Sequence, residues 1–131
     1  MGVYSMNKKK KVTVLIADDQ TLFREGIKDV LTGEKWMEVV GEAADGLEAV
    51  AKAKQLKPDV VLMDIKMPVM NGLEATKAIR QFDKNIPIVA VTANVLDFDR
   101  KTALANGCNE FVTKPVVRSQ LIAVVETYKR K

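Results

Sequence analysis

Short apolar segments alternate along the chain with segments whose apolar residues recur every three or four positions. The short segments are rich in branched aliphatic residues, which predicts strands at about residues 12–17, 36–41, 59–63, 87–91 and 110–113. The helical spacing between and after them predicts five helices. This alternation is typical of an α/β fold with a parallel sheet, and the preference for right-handed crossovers makes a single doubly wound domain the expected architecture.

Each predicted helix has a start or stop signal and an apolar face. In the first helix, Thr21 is the expected cap, and the buried face is expected to hold Phe23, Ile27, Val30 and Leu31. The second helix is expected to begin at Asp45 or Gly46 and to bury Leu47, Val50 and Leu56. The other three helices are expected at about residues 71–82, 96–105 and 116–128.

Composition limits the class of protein. At 131 residues, with 47% hydrophobic and 29% charged residues, the chain is expected to form one globular domain over residues 11–131, after a disordered or tag-like segment at residues 1–10. No apolar run approaches the roughly 20 residues of a membrane-spanning helix, so no membrane association is expected. The net charge of +4 comes partly from lysine-rich ends without interleaved aromatic residues, so direct nucleic-acid binding is not expected within this chain.

Histidine is absent from the chain, and cysteine occurs once, at Cys108. The absence of histidine excludes Ser-His and Cys-His catalytic pairs and histidine-ligated metals. It also means that this chain cannot carry a phosphoryl group on histidine. A single cysteine cannot form an internal disulfide, which fits a reducing, cytoplasmic location.

Five polar residues stand at or just beyond the ends of four predicted strands: Asp18, Asp19, Asp64, Thr92 and Lys114. The carboxyl ends of parallel strands meet at one edge of a sheet, which is where open α/β sheets bind ligands. An ionised carboxylate at the end of a buried run is costly unless it has a partner. The sequence therefore predicts that these five side chains form one site.

The chemistry that suits these residue types is phosphoryl transfer to a carboxylate. Asp is a known nucleophile for this reaction and forms an aspartyl phosphate. Three clustered carboxylates favour a divalent cation that prefers oxygen ligands, such as Mg²⁺. A metal ion and a lysine ammonium would neutralise the charge on the phosphoryl oxygens. Asp64, which follows the apolar run at residues 60–63, is the candidate nucleophile.

The chain resembles the response-regulator receiver domains of two-component signalling over residues 12 to about 128. The matching stretches are IADDQ at 16–20, LMDIKMPVMNG at 62–72, VTA at 91–93 and FVTKP at 111–115. The resemblance implies a flavodoxin-like (βα)5 domain with strand order 2-1-3-4-5, like that of the chemotaxis regulators. It also implies a cis bond between Lys114 and Pro115.

The same resemblance implies a role for each site residue. Asp64 is the expected phosphoacceptor, and the expected Mg²⁺ ligands are Asp18, Asp19, Asp64 and the backbone carbonyl of Lys66. Lys114 is expected to pair with the phosphoryl group. Thr92 and Phe111 are the expected switch residues, and Lys66 and Asn94 flank the acceptor.

The resemblance further implies a signalling switch rather than an enzyme, with slow auto-dephosphorylation as its own chemistry. The expected phosphodonor is a histidine kinase or a histidine phosphotransfer protein. A downstream protein is expected to bind the face formed by the fourth helix, the fifth strand and the fifth helix. A phosphorylation-dependent homodimer is left open.

Several alternatives are open. The chain fits a free-standing regulator that acts by protein contacts or a phosphorelay intermediate, and it fits equally a receiver excised from a hybrid histidine kinase. An Asp-nucleophile phosphatase is disfavoured, because such enzymes commonly place a second Asp two residues after the nucleophile, where this chain has Lys66. An interaction module that works without phosphorylation is disfavoured by the complete set of five polar residues.

Overall fold

Strand and helix alternate five times over the part of the chain that the structure describes. The structure, a computed structural model, describes residues 11–93 and 100–129. The strands are β1 (Val12–Ala17), β2 (Met37–Ala43), β3 (Val60–Asp64), β4 (Ile88–Thr92) and β5 (Glu110–Thr113). The helices are α1 (Thr21–Thr32), α2 (Gly46–Leu56), α3 (Gly72–Phe82), α4 (Arg100–Ala105) and α5 (Arg118–Glu126).

All five strands lie in one parallel sheet with the order β2-β1-β3-β4-β5. The predicted order 2-1-3-4-5 is confirmed. The register aligns Asp64 with Val91, and Thr92 with Thr113. The carboxyl ends of β3, β4 and β5 therefore lie at the same edge of the sheet.

Helices cover both faces of the sheet, and each face has its own apolar cluster. Side chains alternate between the faces along a strand, so Val14 and Ile16 belong to one cluster while Leu15 and Ala17 belong to the other. The first cluster contains residues of α1 and α5, and the second contains residues of α2, α3 and α4. Every residue of β3 and β4 is buried, as expected for central strands covered on both sides.

Two details of the predicted helices are wrong. The N-cap of α1 is Gln20, and Thr21 is its first helical residue rather than its cap. In α2, Leu47 and Leu56 are 54% and 37% exposed. The buried residues of this helix are small instead: Gly46, Ala49 and Ala53. At Gly46 a neighbouring backbone oxygen, 2.0 Å from where a Cβ would lie, leaves no room for a side chain.

Several element bounds also differ from the prediction. The second strand extends to residue 43 and the last helix begins at residue 118, after Val117 in an extended conformation. The predicted start of the fourth helix at residues 96–99 and the expected disorder of residues 1–10 concern residues outside those described. Within residues 11–93 and 100–129, no helix has both the length and the apolar character needed to cross a bilayer.

Candidate functional site

The carboxyl edge of the sheet brings four of the five predicted site residues within reach of one another: Asp18, Asp19, Asp64 and Lys114. The fifth, Thr92, is the buried last residue of β4. The short strands explain this placement, because each apolar run ends where the sheet ends and the next residue turns into a loop. The structure thus places the predicted residues together at one edge.

Asp18 is a buried carboxylate with a different partner on each oxygen. Its Oδ1 accepts a hydrogen bond of 2.8 Å from the backbone N–H of Gln20, just before α1. Its Oδ2 accepts one of 2.9 Å from the ammonium of Lys114, just after β5. Asp18 therefore connects the start of α1 to the end of the last strand.

Asp64 ends β3 and is only 6% exposed. Burial, together with the negative charges of Asp18 and Asp19, raises the pKa of Asp64 from 3.8 to about 6. Lys114, whose Nζ lies 3.8 Å from Asp64 Oδ1, opposes this rise in pKa, as does a backbone hydrogen bond from Lys66. Burial is therefore the main reason that the Asp64 carboxyl holds its proton more tightly than usual, and the two neighbouring carboxylates add to it.

The cluster of three carboxylates in the site fits a divalent cation. One oxygen from each of Asp18, Asp19 and Asp64 lies within 4.8 Å of the others. Two of these residues are buried and Asp19 is exposed, so the cluster opens to solvent on one side. An all-oxygen, negatively charged and partly open site is what Mg²⁺ prefers, since it keeps some of its water ligands. A cation there would also offset the repulsion from Asp18 and Asp19, which adds to the effect of burial on the pKa of Asp64.

The expected switch residues lie on β4 and β5. Thr92 is 3% exposed, and its backbone carbonyl accepts a hydrogen bond of 2.8 Å from the Lys114 N–H. Phe111 is half-buried on β5 and packs against the apolar cluster on the α2–α3 side. The Lys114–Pro115 peptide bond is cis, as predicted. Lys66 has an exposed side chain, and Asn94 lies outside the described residues.

The loop from β3 to α3 depends on a glycine whose role the sequence did not reveal. A Cβ on Gly72 would lie 2.1 Å from the backbone oxygen of Asp64, closer than any real contact. The N–H of Gly72 also donates a hydrogen bond of 2.9 Å to the carbonyl of Ile65. The loop therefore folds back directly onto the residue that follows Asp64, which holds the end of β3 in place.

Two further residues of α1 contact the site and were not predicted as members of it. The Phe23 ring centroid lies 4.0 Å from Lys114 Nζ. The guanidinium of Arg24 donates one hydrogen bond of 2.6 Å to the carbonyl of Asp18 and another of 3.0 Å to Glu42. Both residues lie one turn after the Asp18-Asp19 pair, and this proximity in sequence was the available signal.

The chain matches the family described as the response regulator receiver domain over residues 14–126. It is 42% identical over 109 residues to the chemotaxis protein CheY of Thermotoga maritima, which covers 83% of this chain and 90% of that protein. It is 35% identical over 131 residues to a protein-glutamate methylesterase/protein-glutamine glutaminase of Trichodesmium erythraeum. That match covers 90% of this chain but 37% of the relative's length.

A solved structure has a similar fold. It is the receiver domain of the sensor histidine kinase PA1611 of Pseudomonas aeruginosa, described with a magnesium ion coordinated in its active-site cleft. The two chains superpose with a TM-score of 0.81 at 32% identity, covering 90% of this chain and 97% of the other.

Proposed function

This chain belongs to the family of response regulator receiver domains, and we propose from this premise that its switch is operated by phosphorylation of Asp64. The observation that carries the proposal is the position of the Asp64 carboxylate. It is buried at the end of a central strand, beside two other carboxylates and 3.8 Å from the Lys114 ammonium. A residue that served only to pack the core would not need charged neighbours of this kind.

Asp64 acts as the nucleophile in this proposal. One carboxylate oxygen forms a bond to phosphorus while the donor's P–N bond breaks, and the leaving nitrogen keeps the electron pair and takes a proton. No general base is required, because the attacking group is an ionised carboxylate and has no proton to lose. Lys114 neutralises part of the charge on the phosphoryl oxygens.

Asp18, Asp19, Asp64 and the backbone carbonyl of Lys66 are the proposed Mg²⁺ ligands. When bound, Mg²⁺ would supply the charge that offsets repulsion between the carboxylates and the incoming phosphoryl group. The carboxylate cluster and the magnesium described in the PA1611 receiver support this assignment.

Thr92 and Phe111 are the proposed readers of the phosphorylated state. A phosphoryl group adds charge and hydrogen-bond acceptors. The Thr92 hydroxyl would move toward them, and Phe111, at the margin of its apolar cluster, would shift into the space that becomes available. These movements would bias an existing equilibrium of the face formed by α4, β5 and α5. A downstream protein or a second copy of this chain would recognise that face.

A histidine kinase or a histidine phosphotransfer protein is the proposed donor, because the chain itself has no histidine.

The domain carrying these functions is proposed to span residues 11–131, after the segment at residues 1–10. The chain has a single cysteine, Cys108, as a free thiol, which fits a reducing compartment such as the cytoplasm. A role as a relay intermediate, or as the receiver of a longer protein, fits the same chemistry.

An Asp-nucleophile phosphatase is the rival function, and the exposed Lys66 occupies the position where such enzymes commonly carry an acidic residue. The methylesterase relative raises a separate alternative. This chain matches only 37% of that relative's length, so esterase activity would belong to a longer protein and is not part of our proposal for this domain.

The proposal is tested by incubating the protein with Mg²⁺ and phosphoramidate, a small P–N donor, and measuring incorporated phosphate by intact-protein mass spectrometry. We expect one acid-labile phosphoryl group on the wild type and none on Asp64→Asn. Asp29→Asn, which removes an exposed carboxylate of α1, is the matched control and should be labelled like the wild type.

Equal labelling of Asp64→Asn and the wild type would refute the assignment of the phosphoacceptor. Labelling that persists without divalent cations would refute the metal site. Sustained turnover of an external phosphomonoester, dependent on Asp64, would favour the phosphatase over the switch.

A further inference from the structure

The Lys114 ammonium has three close neighbours. Its Nζ lies 2.9 Å from Asp18 Oδ2, 3.8 Å from Asp64 Oδ1 and 4.0 Å from the centroid of the Phe23 ring. The lysine side chain is 14% exposed, so this cation is largely removed from water. Two carboxylates attract it from the site, and the aromatic ring supplies a third, uncharged contact.

The contact between Lys114 and Phe23 differs from the other lysine–aromatic contacts among the described residues. Lys54 lies 5.7 Å from the ring centroid of Phe82, and Lys129 lies 4.7 Å from that of Trp36; both of these lysines are exposed. A cation–π contact strengthens as the cation is desolvated. The shortest of the three contacts is therefore also the one in the most favourable surroundings.

We propose that Phe23 is a positioning residue for phosphoryl transfer, which acts by holding the Lys114 ammonium at the mouth of the site. The inference rests on the proposed function, because it assigns Phe23 a part in that same reaction. Phe23 does not touch the reacting atoms. It acts through Lys114, and its effect should disappear when Lys114 no longer carries a charge.

The chemistry of an aromatic ring suits this position. The face of the ring attracts a cation through its quadrupole but offers no conventional hydrogen-bond acceptor. A third carboxylate beside Lys114 would compete with the phosphoryl oxygens for its N–H groups and add to the repulsion around Asp64. The ring excludes water from one side of the ammonium and leaves its N–H groups to point toward the site.

The backbone of α1 fixes the ring with respect to the lysine. Asp18 Oδ1 accepts from the Gln20 N–H at the start of α1, while Asp18 Oδ2 accepts from Lys114. Arg24, the residue after Phe23, holds the carbonyl of Asp18. Phe23 also lines a small cavity together with Asp18 and Asp64, and it packs against the apolar cluster beneath them. The segment that carries the ring and the lysine ammonium are therefore both held by hydrogen bonds to Asp18.

The test compares phosphorylation rates of full-length variants over a range of phosphoramidate concentrations, in saturating Mg²⁺. Phe23→Leu keeps an apolar side chain but removes the ring. We expect its maximal rate to fall roughly three- to tenfold, the range of a partly desolvated cation–π contact. The donor concentration at half-maximal rate should not change, because Lys114 acts on the charge that develops during transfer.

Two graded replacements separate the ring's electrostatics from its size. Phe23→Tyr keeps an aromatic face and should retain most of the wild-type rate. Trifluorophenylalanine at position 23 keeps the shape but weakens the quadrupole, so its rate should fall between those of Phe23 and Phe23→Leu. Phe82→Leu is the matched control, since it removes an exposed ring of α3 that faces Lys54 of α2. Its rate should equal that of the wild type.

A double-mutant cycle with Lys114→Met decides whether the effect runs through the lysine. We expect Phe23→Leu to cause no further loss of rate in the Lys114→Met background. An equal loss in both backgrounds, or a Phe23→Leu rate equal to that of the wild type, would overturn the inference. Failure of the wild type to become labelled would instead overturn the proposed function, so the two failures are distinguishable.

Discussion

Replacing Asp64 with Asn should stabilise the metal-free protein while abolishing its phosphorylation. The pKa of Asp64 is raised from 3.8 to about 6, which means that the folded protein binds this proton more tightly than the unfolded chain does. The stabilisation from proton binding is fully present below pH 3.8 and is lost as the pH rises through about 6. At neutral pH the ionised carboxylate therefore opposes folding.

The size of the effect follows from the pKa shift. A difference of about two pKa units, at 1.36 kcal/mol per unit, corresponds to about 3 kcal/mol in the free energy of unfolding. The attraction of Lys114 is already included in that pKa, so losing it adds no separate cost. Asn has the shape of the carboxyl group and stays neutral. We expect Asp64→Asn to be more stable than the wild type by about this amount at pH 7.5.

Urea denaturation in a metal chelator, repeated between pH 5 and pH 8, measures the difference. The advantage of Asp64→Asn should shrink as the pH falls, because the wild-type carboxyl becomes protonated. Mg²⁺ should raise the stability of the wild type, since it binds the folded site, and should raise that of Asp64→Asn much less. Asp29→Asn should change the stability by less than about 0.5 kcal/mol.

A variant less stable than the wild type at pH 7.5, or a difference that does not depend on pH, would refute this reasoning. Either result would mean that packing or hydrogen bonding of the Asp64 side chain outweighs the cost of burying its charge.

Two further predictions concern how the site is built, and urea denaturation checks both. Gly72→Ala should lower the free energy of unfolding by more than about 3 kcal/mol or prevent folding, because the new Cβ would lie 2.1 Å from the Asp64 carbonyl oxygen. Gly26→Ala is the control, and it should be neutral or slightly stabilising because the space around its Cβ is open. Asn71→Ala should cost about 1 kcal/mol, because it removes the capping box in which Asn71 and Glu74 exchange hydrogen bonds of 2.9 Å; a loss of less than about 0.3 kcal/mol would show that the cap is dispensable.

The apolar runs and their polar ends carry most of the local information in this chain. Each apolar run is about as long as the buried part of its strand. The run therefore stops near the edge of the sheet, and the next polar residue marks that edge. For this reason the sequence alone is enough to identify Asp18, Asp64, Thr92 and Lys114 as candidates. The strand order, in contrast, came from the resemblance of whole motifs to a family, since periodicity does not specify which strands are neighbours.

Helix α2 shows where periodicity is insufficient. Leu47 and Leu56 have the spacing of a buried face, yet the face that packs against the sheet carries Ala49 and Ala53. The hydrophobic pattern measures which side chains would gain from burial, but the distance between helix and sheet decides which of them fit. The neighbouring loop also limits what fits, because a Cβ on Gly46 would lie 2.0 Å from the backbone oxygen of Met70.

The sequence by itself determined the fold class and the residues that meet at the carboxyl edge, because both follow from the order and period of short local segments. Only the tertiary structure decided the surroundings of those residues. Asp18 and Lys114 are 96 positions apart in sequence, and their contact exists because the sheet brings the first and last strands' loops together. The raised pKa of Asp64 and the ring of Phe23 over Lys114 depend in the same way on distances between segments, which no local pattern contains.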